Sequence, residues 1–265
     1  LYITKAWLCS HFNFFYMKYI LTLALSFLIV ATLQAQVHPA KDTSWKTLYR
    51  ASATRVNDVV HTKLEVKFDY DKSYVHGKVW LTLQPHFYAT DSLMLDAKGM
   101  DIHQVAISVD GTLKDLKYSY TDKNLLHIQL DKIYTKGEKY TVYIDYTAKP
   151  DEFEGRDKKT VAGAKGLYFI NPKGKDKNKP TQIWTQGETE HTSVWCPTID
   201  NPNQKTTQEI YLTVPDKYVT LSNGLLINQT TNADGTRTDY WKMDLPHAPY
   251  LMFIGVGEYA IIKDS

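Results

Sequence analysis

From about residue 60 onward, apolar and polar side chains alternate with a period of two. KLEVKFD, starting at Lys63, turns Leu64, Val66 and Phe68 to one side. KVWLTLQ, starting at Lys78, does the same with Val79, Leu81 and Leu83, while YTVYIDY, starting at Tyr140, sets Val142 and Ile144 among Tyr140, Tyr143 and Tyr146 and places bulk on both faces. Successive side chains of a strand point to opposite faces, so each run predicts a strand with at least one buried face. Between the runs stand Asp71-Lys72-Ser73, Asp110-Gly111, Lys136-Gly137 and Asp234-Gly235, residue types that suit the tight turns of hairpins. No stretch after the N-terminal segment keeps a 3.6-residue period for a dozen residues, and no internal repeat is visible. The pattern predicts an all-β fold, a large antiparallel β-sandwich or saddle-like sheet, with the lysine-rich excursion NPKGKDKNKP (171–180) as its most mobile loop.

The N-terminus breaks this pattern. From Met17, the run MKYILTLALSFLIVATLQAQ carries the basic Lys18, an apolar core from Ile20 to Val30, and small or polar residues around Ala31 and Ala35. That order is the one found in secretory signal peptides. The apolar run falls short of the ~20 residues a membrane span needs, which favours a cleaved leader over an uncleaved anchor. Residues 17–35 are therefore expected to be removed after Ala35, although Leu33 is larger than the residue usual two positions earlier. Residues 1–16 begin without Met and read as upstream sequence translated from a misplaced start. The mature domain would then be 36–265, exported to the periplasm or the extracellular space.

Composition adds little and removes some options. Thirty-one basic and 29 acidic side chains leave a net charge of +2, which offers no electrostatic case for a nucleic acid or an anionic membrane as partner. With 43% hydrophobic residues in 265, the chain can bury one large core or two small ones. Of the two cysteines, Cys9 precedes the leader, so the mature chain keeps Cys196 alone and makes no internal disulfide. Cys196 stands five residues after His191. It reads either as a nucleophile, if that base is near, or as a small buried hydrophobe.

Most of the chemistry-bearing side chains gather on IWTQGETEHTSVWCPTIDNPNQKTTQEIYL (183–212). Ile183 to Gln186 finishes one strand, residues 188–204 form a long connection stiffened by Pro197 and Pro202, and QEIYLTV (208–214) starts the next strand. Functional groups often sit on connections held by a rigid scaffold. Glu188 and Glu190 admit an acid–base pair. On an extended chain, however, their spacing puts both on one face with no further partner, and a solvated strand edge is the alternative.

WTQGE (184–188), with Asp200 and Pro202 at their spacing after it, resembles the Thr-Gln-x-Glu and Asp-Glu-Pro segments of the aminopeptidase N family of zinc metallopeptidases. YVTLSNG (218–224) is similar to that family's Leu-Ser-Asn segment, LMLDAKGMDI (93–102) to its Leu-Asp-x-x-x-Leu strand, and YLMFIGVGEY (250–259) to its closing strand. The resemblance covers the mature chain and implies the N-terminal β-domain of such an enzyme. It implies that Glu188 binds the substrate's α-ammonium group and that Gln186 helps form the pocket for the first side chain. A carboxylate held at a strand end can make a charge-assisted hydrogen bond to an ammonium in a water-poor cleft. Ser193 and Val194 stand where the family carries paired arginines, and Asn201 stands where it carries Glu, so the ion pairs that brace this loop in relatives are not available here.

The resemblance also implies a zinc cofactor in the full-length enzyme, on a His-Glu-x-x-His helix with a downstream Glu. No His-Glu pair occurs in the chain, and its nine histidines (11, 38, 61, 76, 86, 103, 127, 191 and 247) are scattered. The family's Gly-x-Met-Glu-Asn segment is not present either. The expectation is a truncated chain or gene fragment that recognises peptide N-termini while catalysis lies in a helical zinc domain of the same polypeptide. No metal ligand and no catalytic residue is expected in this chain. The alternative is a free-standing secreted β-sandwich that uses its 19 Tyr and 6 Trp to hold peptide or glycan.

Overall fold

A computed structural model describes residues 54–153 and 165–262, all within one compact unit, Ser52–Ser265. The leader expected at 17–35 and the stretch 1–16 lie outside the described residues. Strands in chain order are β1 (Asn57–Asp69), β2 (Tyr74–Pro85), β3 (Thr90–Asp96), β4 (Asp101–Val109), β5 (Thr112–Asp115), β6 (Lys117–Thr121), β7 (Leu125–Tyr134), β8 (Tyr140–Ala148), β9 (Gly166–Ile170), β10 (Gln182–Gln186), β11 (Thr206–Pro215), β12 (Val219–Ser222), β13 (Leu225–Thr231), β14 (Thr236–His247) and β15 (Ile254–Gly257). Two single turns of 3-10 helix, Thr192–Val194 and Pro249–Leu251, are the only helical elements among the described residues.

The strands form three sheets. The largest has the order β13-β14-β11-β1-β2-β8-β4-β5, and two smaller ones run β12-β15-β10-β9 and β3-β7-β6. Three of the four predicted turns join hairpins, β1 to β2, β4 to β5 and β13 to β14, whereas Lys136-Gly137 carries the chain from β7 in one sheet to β8 in another. At Asp110-Gly111 both residues take positive φ, 49° and 80°, the geometry that matches the twist of two antiparallel strands. Every named pairing is antiparallel except one: β1 and β11 run parallel, with Leu64 opposite Ile210. Sequence-adjacent strands joined by short turns must pair antiparallel, but β11 arrives after the long connection from another sheet, which leaves its direction free.

Alternation along the strands becomes burial. Leu64 and Val66 of β1, Val79, Leu81 and Leu83 of β2, and Val142, Ile144 and Tyr146 of β8 form one core with Leu93 and Leu95 of β3, Leu126 and Ile128 of β7, Ile183 of β10 and Ile254 of β15. The two smaller sheets thus close the same face of the large one, as the sandwich reading expected, and each fully buried aliphatic side chain contributes about 1.5–3 kcal/mol. On the opposite face the Lys63 Nζ lies 4.4 Å from the Trp80 ring centre, and Tyr211 stacks on Tyr240 at 4.4 Å. The lysine-rich excursion folds back on itself, because Asn171 Nδ2 donates to the carbonyls of Asp176 at 2.8 Å and Lys179 at 2.6 Å.

Candidate functional site

Strand β10 delivers the site. Antiparallel partners on both sides, β9 and β15, fix it in the smaller sheet. Its inward side chain Thr185 donates to the Met252 carbonyl at 3.2 Å and accepts from the Ile254 N–H at 2.9 Å. Gln186, the next residue, points to the exposed side, Gly187 is buried, and Glu188, Thr189 and Glu190 are exposed. The chain turns there: the His191 N–H donates to the Gly187 carbonyl at 2.9 Å, and His191 Nδ1 sits 3.1 Å from the Glu188 carbonyl. Glu188 and Glu190 therefore occupy a turn, not the extended segment expected, and the inference that their spacing puts both on one face does not apply. The compact turn is possible because residue 187 has no side chain and lies against the Tyr250 backbone.

Behind the turn the connection dives into the protein. Residues Thr192 to Thr198 are all buried. Thr192 Oγ1 donates to the Pro249 carbonyl at 2.9 Å, and the Tyr146 hydroxyl donates to the Trp195 carbonyl at 3.0 Å. Lys98, nearly a hundred residues away, clamps the turn twice: its backbone N–H donates to the Ser193 carbonyl at 2.8 Å and its Nζ to the Glu190 carbonyl at 2.6 Å. Thr198 and Asp96 form a two-way backbone bridge of 2.8 and 3.1 Å. Asp200 Oδ2 accepts from both the N–H and the Oγ–H of Ser193, each at 2.8 Å. Hydrogen bonds thus brace this connection. Nothing in the local sequence announced Lys98, Tyr146 or Asp96, since each reaches the loop only through the fold.

The geometry separates the candidate chemistries. Cys196 is wholly buried, and burial pushes its thiol up to about 12, with the Tyr146 hydroxyl opposing and Asp200 adding to the shift. Its Sγ faces the Pro197 carbonyl at 3.8 Å and no hydrogen bond joins it to His191 among the described residues, so it packs as a small hydrophobe and does not act as a nucleophile. Gln186 and Glu188 reach solvent, and no hydrogen bond or ion pair among the described residues engages either side chain. An exposed carboxylate on a hydrogen-bonded turn, with both oxygens free, is suited to a cationic ligand. Among the described residues no three His, Cys, Asp or Glu side chains stand close enough to hold a metal ion. The donor set among the described residues does not fit a zinc ion.

The family profile of the peptidase M1 N-terminal domain matches residues 58–251, from β1 to the second helical turn, and so includes this loop whole. The chain belongs to that family. The chain is 30% identical over 193 residues to puromycin-sensitive aminopeptidase of Caenorhabditis elegans, an alignment that covers 71% of this chain and 19% of that protein. It is 23% identical to leukotriene A-4 hydrolase of Xenopus laevis, over 78% of this chain and 32% of that protein. Among solved structures, the M1 zinc metallopeptidase of Deinococcus radiodurans superposes with a TM-score of 0.64 at 19% identity, over 79% of this chain and 44% of that one. Native yeast LTA4 hydrolase gives 0.59 at 20% identity, over 83% and 33%. The M1 N-terminal domain thus spans between about a fifth and less than half of the proteins it matches.

Proposed function

We propose that this M1 N-terminal domain presents the substrate-recognition edge of an exported zinc aminopeptidase that removes N-terminal residues from peptides. Glu188 takes the α-ammonium of the substrate and Gln186 lines the pocket for its first side chain. The observation that carries the reading is the Glu188 carboxylate, exposed and unengaged on a turn whose backbone is bonded to Lys98 and whose continuation is buried. A protonated α-amine offers three N–H donors and one charge, and a carboxylate without an internal partner can satisfy both once a second surface closes over it. That second surface belongs to a catalytic domain of the same polypeptide, which also carries the zinc. An E323A mutant of the Deinococcus radiodurans M1 zinc metallopeptidase, a relative in fold, has been solved bound to a Tyr-Ser-Ala substrate.

The test uses the longer polypeptide with its catalytic domain. Glu188→Ala removes one partner of a desolvated charged hydrogen bond, about 2–4 kcal/mol, and should lower kcat/KM by roughly 30- to 1000-fold. Gln186→Ala should act more mildly and change the preference among first side chains. An efficiency within about twofold of wild type for Glu188→Ala, ~0.4 kcal/mol, would make Glu188 an ordinary surface glutamate. Export is tested separately: the mature polypeptide should begin at Gln36, and recovery of peptides from 1–16 in mature protein would refute the leader.

A further inference from the structure

The loop contains a carboxyl that the recognition reading does not use. Asp200 is 4% exposed. Its Oδ2 grips the N–H and hydroxyl of Ser193, its own backbone N–H donates to Asp96 Oδ2 at 2.9 Å, and its Oδ1 is buried with no partner. Ser193 is held from the other side by the Lys98 N–H on its carbonyl. Between Ser193 and Glu188 lies a single turn, closed by the His191 N–H on the Gly187 carbonyl, so a shift of Ser193 passes directly to Glu188.

We propose that Asp200 is a positioning residue for substrate recognition: by gripping Ser193 it holds the Glu188 turn against the Asp96 end of β3, so that substrate affinity, not turnover, depends on it. The proposal rests on the assignment of Glu188 made above. A buried carboxyl with one oxygen unmet is a poor choice for stability alone, because burial without a partner disfavours its charge. What it supplies is two charge-assisted bonds to one residue, each roughly twice as strong as a neutral one. The groups facing Asp200 are Ser193 and Cys196 from its own connection, Asp96 from the end of β3 and Lys98 from the turn that follows. Burial pushes its carboxyl up to about 6, against the Ser193 bonds and Lys98 and with Asp96 adding to the rise. The grip therefore passes from charge-assisted to neutral as pH falls through this value, and affinity should weaken on the acid side.

The experiment measures KM and kcat of the longer polypeptide on an aminoacyl reporter between about pH 5 and pH 8, with hydrogen exchange of residues 188–194 as a readout independent of activity. Asp200→Ala should raise KM about tenfold and leave kcat within about twofold, with faster exchange across the turn. Asp200→Asn keeps an oxygen for Ser193 but carries no charge and does not titrate, so its KM should lie between those of wild type and Asp200→Ala at pH 8, match the wild-type value at pH 5, and show no acid limb. If Asp200→Ala does not fold, Ser193→Ala, which deletes only the hydroxyl donor, should raise KM about threefold. A changed KM in Glu188→Ala beside an unchanged KM in Asp200→Asn and Ser193→Ala at every pH overturns the positioning role and leaves Glu188 in place. Lower stability with unchanged KM, or a loss confined to kcat, overturns it as well. An unchanged KM in all these variants, Glu188→Ala included, removes recognition from the turn and this proposal with it.

Discussion

Gly187 separates the two side chains assigned to substrate, and it is the place where the turn has no slack. A Cβ added there would lie 2.6 Å from Thr192 Oγ1, 2.8 Å from the Tyr250 carbonyl oxygen and 2.9 Å from the Tyr250 Cα. None of the three can yield cheaply. Thr192 Oγ1 is committed to the Pro249 carbonyl at 2.9 Å, and the other two atoms are backbone. Gly187→Ala should therefore cost about 1–3 kcal/mol, the usual range for overpacking a rigid interior. For a domain of this size that lowers Tm by about 2–12 °C, at ~2–4 °C per kcal/mol. The turn must move to admit the methyl group, and Gln186 and Glu188 move with it. A shift approaching 1 Å in a positioning group can cost about a hundredfold, so kcat/KM of the longer polypeptide should fall about 10- to 100-fold. Calorimetry on this chain and steady-state kinetics on the longer one check the two parts. Adding Thr192→Ala should recover only a fraction, because the Tyr250 backbone still blocks the methyl. A Gly187→Ala protein within about 0.5 kcal/mol of wild type and with unchanged kinetics would show that the turn is soft and that the bracing argument is wrong.

The remaining predictions follow from single environments. Asp200 carries a folded-state value of about 6 against 3.8 for a free carboxyl, so the native state binds its proton more tightly; this contribution is full below pH ~3.8 and is lost as pH rises through 6. Urea unfolding should show about 1.4 kcal/mol less stability from this group at pH 7.5 than at pH 5, and Asp200→Asn should abolish that difference. Arg237 reaches both oxygens of the wholly buried Asp239, at 2.6 and 3.0 Å, and the Tyr218 carbonyl at 2.8 Å. Arg237→Ala should cost about 3–5 kcal/mol by stranding that carboxylate, and Arg237→Lys should not restore it, since an ammonium cannot reproduce the fork; chemical denaturation measures both. The Cys196 thiol, pushed up to about 12 by burial, should resist alkylation in the native protein and react after unfolding, as peptide mapping would show. Purified alone, this chain should release no amino acid from aminoacyl reporters and bind no stoichiometric zinc, and one tightly held zinc per chain with turnover lost on chelation would refute that.

Period-two alternation and Gly-containing turns were enough to read the all-β class and the hairpins, because both are local: a strand buries alternate side chains wherever it lies, and Asp110-Gly111 turns back on itself whatever surrounds it. The motif around Gln186 and Glu188 was likewise legible, as a resemblance carried by contiguous residues. The parallel pairing of β1 with β11 was not, since it depends on where a long connection delivers a strand. Nor was the turn at Glu188, which the alternating spacing of Glu188 and Glu190 suggested was extended. It closes because Gly187 lies against Tyr250 and because Lys98 and Asp96, nearly a hundred residues earlier, supply the bonds that hold Glu190, Ser193, Thr198 and Asp200. Sequence names which side chains carry charge. Only the tertiary structure decides which charge is left without an internal partner, because that depends on atoms brought together from β3, β8, β10 and the second helical turn. Glu188 ends outside with its oxygens free, while Asp200, twelve residues on, ends inside with one oxygen unmet. The same carboxyl group thus has opposite environments at two places on one loop.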